Sequence, residues 1–258
     1  MATHPVTIEG KGLWNGRCFV IPSIPSTNRW MLHPPRPLKH GDVLRAVRQT
    51  DGHGRFGRPW LAPKDRALTL SILLDTTRLP ERLPAQLTQA AALAIVQFLR
   101  NLQIPAGIKW PNDVLVNGRK IAGILAERLD HDSPIILGIG LNVNLRPDDL
   151  PPNRLRTPAT SILIETGRTH AVPQLCRELL RILESTLDSL AHNPETIHHA
   201  WEAADLLLGR RIRIETPAGI QEGTCRGVIP SGELLLQLPD GAYRTFASGD
   251  VSLLPAQP

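Results

Sequence analysis

Residues 107–127 read GIKWPNDVLVNGRKIAGILAE, and the fold turns on how this stretch is read. Gly107 to Trp110 and Asp113 to Val116 are short β-type runs, and Asn117-Gly118 separates the second from a longer one that starts at Arg119. Asn-Gly between two such runs is the strongest short hairpin signal, because both central residues of a tight hairpin turn need positive φ. On the C-terminal side, the polar turn Asp130-His131-Asp132-Ser133 leads into PIILGIGLNVNL, a further long apolar strand. On the N-terminal side, Pro84 opens a helix reaching about Leu102, with Leu87, Ala91, Ala94, Ile95 and Phe98 spaced to lie across a sheet.

Further out, ALTLSILL at 67–74 reads as a mostly buried strand, and 17–22 and 42–49 as shorter ones. Between these last two, PSTNRWMLH is expected to form a short helix capped by Ser26 or Thr27. Two helices are expected at about 173–191 and 194–206, and from Gly209 onward the pattern is all β, with turns at Pro217 to Gly219, Ser231-Gly232 and Asp240-Gly241. The sequence therefore predicts a larger domain of sheet and helices over residues 1–206 and a small β-barrel-like domain over 207–258.

A chain of 258 residues buries about three quarters of its extended-chain surface, enough for one sizeable core and a small second domain. No apolar run approaches the roughly 20 residues that cross a bilayer. The start, MATHPVTIEGKG, lacks the pattern of an export signal, so a cytoplasmic, non-membrane protein is expected. Cys18, Cys176 and Cys225 are far apart, odd in number and without CxxC spacing, which argues against a disulfide framework or a zinc site. The net charge of +5 suits acidic partners without choosing among them. Only five of the 29 basic residues are Lys, and two of those, Lys109 and Lys120, flank the Asn-Gly hairpin region.

Two clusters can carry chemistry. Gly52-His53-Gly54-Arg55-Phe56-Gly57 formally matches a dinucleotide fingerprint, but Pro59 and Pro63 follow instead of a helix, so that reading fails. What remains is a flexible glycine loop whose Arg55 and Arg58 could bridge a phosphate or carboxylate, or could simply be solvated. The second cluster gathers Lys109, Asn112, Asp113 and Lys120 around the hairpin. Asp113 and Lys120 could be a plain cross-strand ion pair and Trp110 plain core. Use of Lys in an Arg-rich chain argues for a compact point charge at a phosphate.

GHGRFGRPW, then KWPNDVLVNGRKIAGILAE, then LGIGLNVN, in this order and spacing, resemble the biotin protein ligases from about Ser26 to the C-terminus. The resemblance implies an α+β fold, a mixed/antiparallel sheet with helices like the core of the second-class aminoacyl-tRNA synthetases, followed by a small C-terminal β-barrel domain. It implies an AMP-forming ligase that activates biotin with ATP and Mg²⁺ to biotinyl-5′-AMP, then transfers biotin to one lysine of a biotin carboxyl carrier protein. Lys120, Arg55 and Asp113 are the implied catalytic residues. Biotin contacts fall on Ser26, Thr27, Asn28, Gln49, Gly52, Gly54, Arg55, Lys120, Gly123, Gly138 and Gly140. Nucleotide contacts fall on His53, Arg55, Arg58, Trp60, Asn112, Lys120 and Asn142, and a metal contact on Asn112 or Asp113. Family members also dimerise through a sheet edge, so a homodimer is compatible with the resemblance.

Alternatives of other kinds are a lipoate or octanoate ligase or transferase of the same fold, an inactive paralogue, and a basic nucleic-acid-binding module. The last is poorly supported, because the terminal segment offers only Tyr243 and Phe246 as stacking aromatics. Only about 25 residues precede Ser26, against the roughly 50 of a helix-turn-helix repressor domain, so a ligase without DNA binding is expected. The chain departs from the family pattern at His53, where Arg is usual, and in IPSIPSTN, where two prolines approach the first biotin contact. An imidazole titrates near pH 6.5, so apparent biotin or ATP affinity is expected to fall between about pH 6 and about pH 8. His53→Arg should flatten that profile in binding titrations across this range.

Overall fold

The computed structural model describes residues 7–78, 84–150 and 157–255. An eight-stranded sheet forms its centre. Its strands are β1 (Thr7–Lys11), β2 (Arg17–Ile21), β3 (Val43–Ala46), β6 (Ala67–Leu74), β7 (Ala106–Lys109), β8 (Asp113–Val116), β9 (Arg119–Glu127) and β10 (Ile135–Asn142), in the order β1-β2-β3-β6-β10-β9-β8-β7. All neighbours are antiparallel except β2 and β3, which gives the mixed sheet expected of the α+β class. The missing pair in that numbering, β4 (Gln49–His53) and β5 (Pro59–Ala62), forms a separate antiparallel hairpin.

One face of the sheet is covered by α2 (Pro84–Asn101), α4 (Val172–His192) and α5 (Pro194–Glu202), and the other carries the short α1 (Thr27–Leu32). In α2 every residue from Gln89 to Val96 is buried, because the helix lies between the sheet and α4. Small alanines at 90, 91, 92 and 94 allow that close approach from several sides. A second, smaller core of Phe19, Ile21, Ile24, Met31, Leu44, Ala46, Leu73 and Ile136 lies on the α1 side. Asn117 (φ 50°) and Gly118 (φ 74°) both have positive φ, as the Asn-Gly hairpin requires.

Several expectations need correction. The stretch 42–49 divides into β3 and the start of β4, and the glycine loop is the tip of the β4–β5 hairpin, where Gly54 N–H donates to the Arg58 carbonyl at 2.7 Å. Two elements went unforeseen, the edge strand β1 and the one-turn helix α3 (Ile162–Thr166), which is capped by Ser161. Cys18 and Cys176, distant in sequence, are buried neighbours with free thiols.

The C-terminal strands β11 (Arg211–Thr216), β12 (Gly219–Val228), β13 (Leu234–Gln237), β14 (Tyr243–Phe246) and β15 (Asp250–Leu253) form an antiparallel sheet in the order β14-β13-β12-β11-β15. Its ladder ends at β14 and β15, so barrel-like closure is not made by backbone hydrogen bonds. Among the described residues, the turn at Gly232 and the linker before β11 join this sheet to the larger domain. The Gly232 carbonyl accepts from Trp110 Nε1 at 3.0 Å and from Gln89 Nε2 at 3.2 Å. The linker 204–206 adds itself to the free edge of β7, with Ile108 N–H donating to Ala204 at 2.7 Å and Leu206 N–H to Ile108 at 2.9 Å. A side chain on Gly107 would meet the Leu206 side chain, which rests on this glycine.

Asp205 sits in this joint. Its Oδ1 accepts from Leu207 N–H at 2.8 Å, while Oδ2 is buried without a partner. Burial pushes its carboxyl up to about 6, with the Leu207 N–H opposing and the charge of Glu202 adding to the rise. As pH increases from about 4, the unfolded chain loses this proton first, so folding stability falls until the folded carboxyl also ionises. Asp205→Asn is therefore expected to match the parent near pH 4 and to exceed it by on the order of 1–2 kcal/mol above about pH 6.5, measured by urea unfolding at both pH values.

Candidate active site

The α1 face of the sheet holds a cleft of about 380 Å³, between α1, the β4–β5 hairpin, β9, β10 and the 249–252 turn and strand of the C-terminal sheet. Such a volume suits one small ligand with a few placed polar groups. Its floor is made flat by sequence. Along β10, Leu137, Ile139 and Leu141 point to the helices, so Gly138, Gly140 and Asn142 face the cleft. Gly140 pairs directly with Gly123 of β9, leaving a cross-strand patch without side chains.

Each bare position is occupied by something else. A side chain on Gly140 would overlap the Trp60 indole, and one on Gly138 would overlap the Asn28 amide. Gly123 lies under the Lys120 ammonium, which is 5.7 Å from the centre of the Trp60 ring. Trp60 is thus held across the floor with Nε1 buried and unpartnered.

Lys120 reaches the cleft because β9 is bulged. Val114 pairs with Ala122 but Leu115 pairs with Lys120, so Ile121 is the extra residue. Ile121 and Ala122 both point into the core, and Lys120 is turned to the same side as Asp113. The peptide groups freed by the bulge are satisfied by the 158–160 segment, Lys120 N–H donating to Pro158 at 2.6 Å and Thr160 N–H to Lys120 at 2.9 Å. Lys120 Nζ lies 2.6 Å from Asp113 Oδ1, with both side chains about one quarter exposed. The two sequence readings of this pair therefore coincide, since the cross-strand ion pair lies inside the cleft.

The arginines are also held. Arg58 forms a two-pronged pair with Asp250 of the C-terminal sheet, Nη1 to Oδ1 at 2.9 Å and Nη2 to Oδ2. Arg55 donates to the Gly249 carbonyl at 3.4 Å and approaches Asn112 Oδ1 at 3.5 Å. Burial lowers the Arg55 guanidinium below its ordinary range, with Asp250 and Asp113 opposing. Phe56 lies between the two guanidiniums, 5.0 and 5.4 Å from them, and is itself 63% exposed at a left-handed φ of 57°. A bulky residue held at positive φ on a cleft rim is a sign of functional constraint.

At the other end of the cleft, Ser26 caps α1, accepting weakly from Arg29 N–H at 3.4 Å, and Thr27, Asn28 and Gln49 lie beside it. All the residues assigned to the site from sequence line this cleft except Gly52. Gly52 acts from behind, because a side chain there would come within 2.7 Å of the Gln49 amide and the Trp60 carbonyl. His53 turns its Nε2 toward Glu127 at 3.7 Å and leaves Nδ1 buried without a partner. Asn142 donates to the Thr160 carbonyl at 2.9 Å and so holds the 157–160 wall. Trp110 is only 2% exposed and spends its indole N–H on Gly232, so packing is its main task.

Asn112 and Asp113 both have partners within the chain. Asn112 Nδ2 donates to the Ile124 carbonyl at 2.7 Å, its Oδ1 faces Arg55, and Asp113 is bound by Lys120. Among the described residues no group of three His, Cys, Asp or Glu side chains could hold a metal ion.

Sequence reasoning missed Ser71, Glu127 and Asp250. Ser71 had a readable signal, since Thr69 and Ser71 are alternate hydroxyls on one face of an otherwise apolar strand. Asp250 had none, because its importance comes from a contact 192 residues away. Gly140→Ala should expel the half-buried Trp60 indole from its seat on the floor, giving a red-shifted tryptophan emission with little loss of far-ultraviolet circular dichroism.

Comparison with known proteins agrees with this geometry. Residues 20–144 match the biotin/lipoate A/B protein ligase family, and residues 207–254 match the biotin protein ligase C-terminal domain. The chain is 36% identical over 228 residues to a biotin–[acetyl-CoA-carboxylase] ligase of Paracoccus denitrificans, covering 84% of this chain and 92% of that protein. With the enzyme of that name from Mycobacterium tuberculosis it shares 34% over 216 residues, covering 82% of this chain and 78% of that one. With the bifunctional ligase/repressor BirA of Bacillus subtilis it shares 34% over 218 residues, 83% of this chain, and spans 66% of the length of that relative. The biotin protein ligase of Aquifex aeolicus, solved in complex with biotin and ATP, superposes with a TM-score of 0.80 at 28% identity, covering 93% of this chain and 99% of that one. This chain belongs to the biotin protein ligases of the biotin/lipoate A/B protein ligase family.

Proposed function

We propose that the protein is an ATP-dependent biotin–[biotin carboxyl-carrier protein] ligase, with residues 1–206 as its catalytic unit and residues 207–258 as a smaller unit that completes the cleft. The observation that carries this reading is one continuous cleft with hydroxyls and amides at the α1 end, the Trp60 indole seated on a glycine floor in the middle, and Lys120 with Arg55 beyond it. A flat bicyclic ureido group fits the first region, its valeryl chain the second, and its carboxylate the third.

In the first step a biotin carboxylate oxygen attacks the α-phosphorus of ATP, the bond to the bridging oxygen breaks, and pyrophosphate leaves with the electron pair. The barrier is repulsion between two anions, so fixed cations matter most. Lys120, delivered by the bulge, neutralises charge on the carboxylate and the α-phosphate, and Arg55 supports it from the hairpin. Asp113 holds Lys120 in place before the substrates arrive. Trp60 offers its face to the adenine, and Arg58 stands toward the phosphates. Mg²⁺ carried by the nucleotide would supply further positive charge at its phosphates, and Asn112 or Asp113 are the side chains that would meet it. In the second step the carrier lysine, as the neutral amine, attacks the acyl carbon and AMP departs. Asp113 then orients the incoming amine.

A lipoate or octanoate substrate would leave the polar α1 end unpaired, because neither acyl tail carries hydrogen-bonding groups to match it. Such mismatches discriminate strongly. Incubation with biotin, ATP, Mg²⁺ and a carrier domain is expected to add one biotin, read by intact mass, whereas lipoate gives no adduct. Lys120→Ala should lower the rate of pyrophosphate release by about 10²- to 10³-fold while leaving thermal unfolding unchanged. Absence of any mass shift with a competent carrier would point to an inactive paralogue.

A further inference from the structure

Behind the α1 end of the cleft runs a hydrogen-bond chain whose supporting members do not line the cleft. Ser71, fully buried in the middle of β6, contacts Thr27 Oγ1 at 2.7 Å and Asn28 Oδ1 at 2.5 Å. Asn28 Nδ2 donates to Glu127 Oε2 at 2.7 Å and to the Leu125 carbonyl at 3.2 Å. Gln49 Oε1 accepts from the Thr27 backbone N–H at 2.7 Å and lies 3.0 Å from Thr27 Oγ1. Glu127 also lies 3.7 Å from His53 Nε2, so one carboxylate touches both α1 and the β4–β5 hairpin.

Donor and acceptor valences orient each member. A backbone N–H can only donate, so the Gln49 amide must give its oxygen to Thr27, which leaves Nε2 as a donor for the cleft. A carboxylate accepts, so Asn28 must turn Nδ2 to Glu127 and Oδ1 to Ser71. That oxygen cannot donate, and the single Ser71 hydroxyl hydrogen is therefore committed to Asn28. Two hydroxyl hydrogens, on Ser71 and Thr27, serve three oxygen–oxygen contacts, so the cluster has more acceptor than donor capacity. A site with one amide donor and hydroxyl acceptors complements a group carrying one carbonyl and two N–H donors.

We propose that Ser71 and Glu127 are positioning residues for the acid substrate: they fix the Thr27 hydroxyl and the Asn28 amide in the orientation that reads a ureido ring, without touching it. This inference rests on the reading of the cleft as a biotin site. Gly138 is part of the same device, because a side chain there would displace the Asn28 amide.

The test uses the full chain with Ser71→Ala, Glu127→Leu and Glu127→Gln, measuring biotin transfer to a carrier domain with biotin and ATP varied separately, together with thermal unfolding. Ser71→Ala and Glu127→Leu are expected to raise the KM for biotin about tenfold, with kcat and the KM for ATP within about twofold of the parent. Glu127→Gln keeps an amide oxygen that can accept from Asn28, so it should stay within about threefold. The double variant Ser71→Ala/Glu127→Leu should be little worse than either single one, because both act through the same amide. Parallel rises in both KM values, or an unchanged biotin KM in Ser71→Ala and Glu127→Leu proteins that unfold at the parental temperature, would overturn the proposal. If the unmodified protein transfers no biotin, the underlying reading of the cleft fails, and this inference with it.

Discussion

The bare patch made by Gly123, Gly138 and Gly140 on the inner strands of the large sheet is the constraint on which the rest of the site depends. Two adjacent strands at the centre of a sheet normally cover each face with side chains about every second residue. Here three of those positions are empty, and the space is taken by groups from other parts of the chain: the Trp60 indole, the Asn28 amide and the stem of Lys120. The opposite face of the same strands, Leu137, Ile139 and Leu141 of β10 with Ala122 and Ile124 of β9, packs into the core against α2. One pair of strands therefore supplies both a packed part of the core and the floor on which the Trp60 indole and the Asn28 amide rest. Rigidity of the floor is inherited from the packing behind it.

Electrostatically the cleft is pre-assembled. Lys120 is held by Asp113, Arg58 by Asp250, and Arg55 by backbone and amide oxygens. Partly buried cations without such partners would be costly, and long side chains left free would lose more entropy when a ligand orders them. The partners come from three separate places: a neighbouring strand, the 110–113 turn and the C-terminal sheet. Asp250 and Gly249 make that small sheet part of the site, because it fastens the β4–β5 hairpin over the cleft. The same sheet is joined to the core through Gly232, Trp110 and Gln89, so the hairpin is anchored from both sides.

Much of this was legible in the residues. Asn117-Gly118, the spacing of Leu and Ala in α2, and the alternation in LGIGLN specify hairpin, helix and strand by local stereochemistry and periodicity alone. The contrast of few lysines among many arginines pointed to Lys120 before any contact was visible. Other features were not legible. The glycine loop read as flexible because Gly54 and Gly57 permit many conformations, and only the pairing of Gly52 and His53 with Trp60 and Pro59 shows that it is the tip of a hairpin. His53 read as a weaker cation, whereas its ring faces Glu127, a residue 74 positions away. Cys18 and Cys176 read as unrelated because nothing local says that β2 and α4 meet.

The sequence by itself determined most of the elements, the family and many of the residues that line the cleft, since each of these depends on residue type and on near neighbours along the chain. The tertiary structure decided which way those side chains point and what holds them. A one-residue bulge in β9 turns Lys120 from the face it would otherwise occupy toward Asp113, and a buried hydroxyl on β6 sets the polarity of amides on α1. Both effects come from pairing across strands, where a shift of one residue reverses the face and the direction of a hydrogen bond depends on its distant partner.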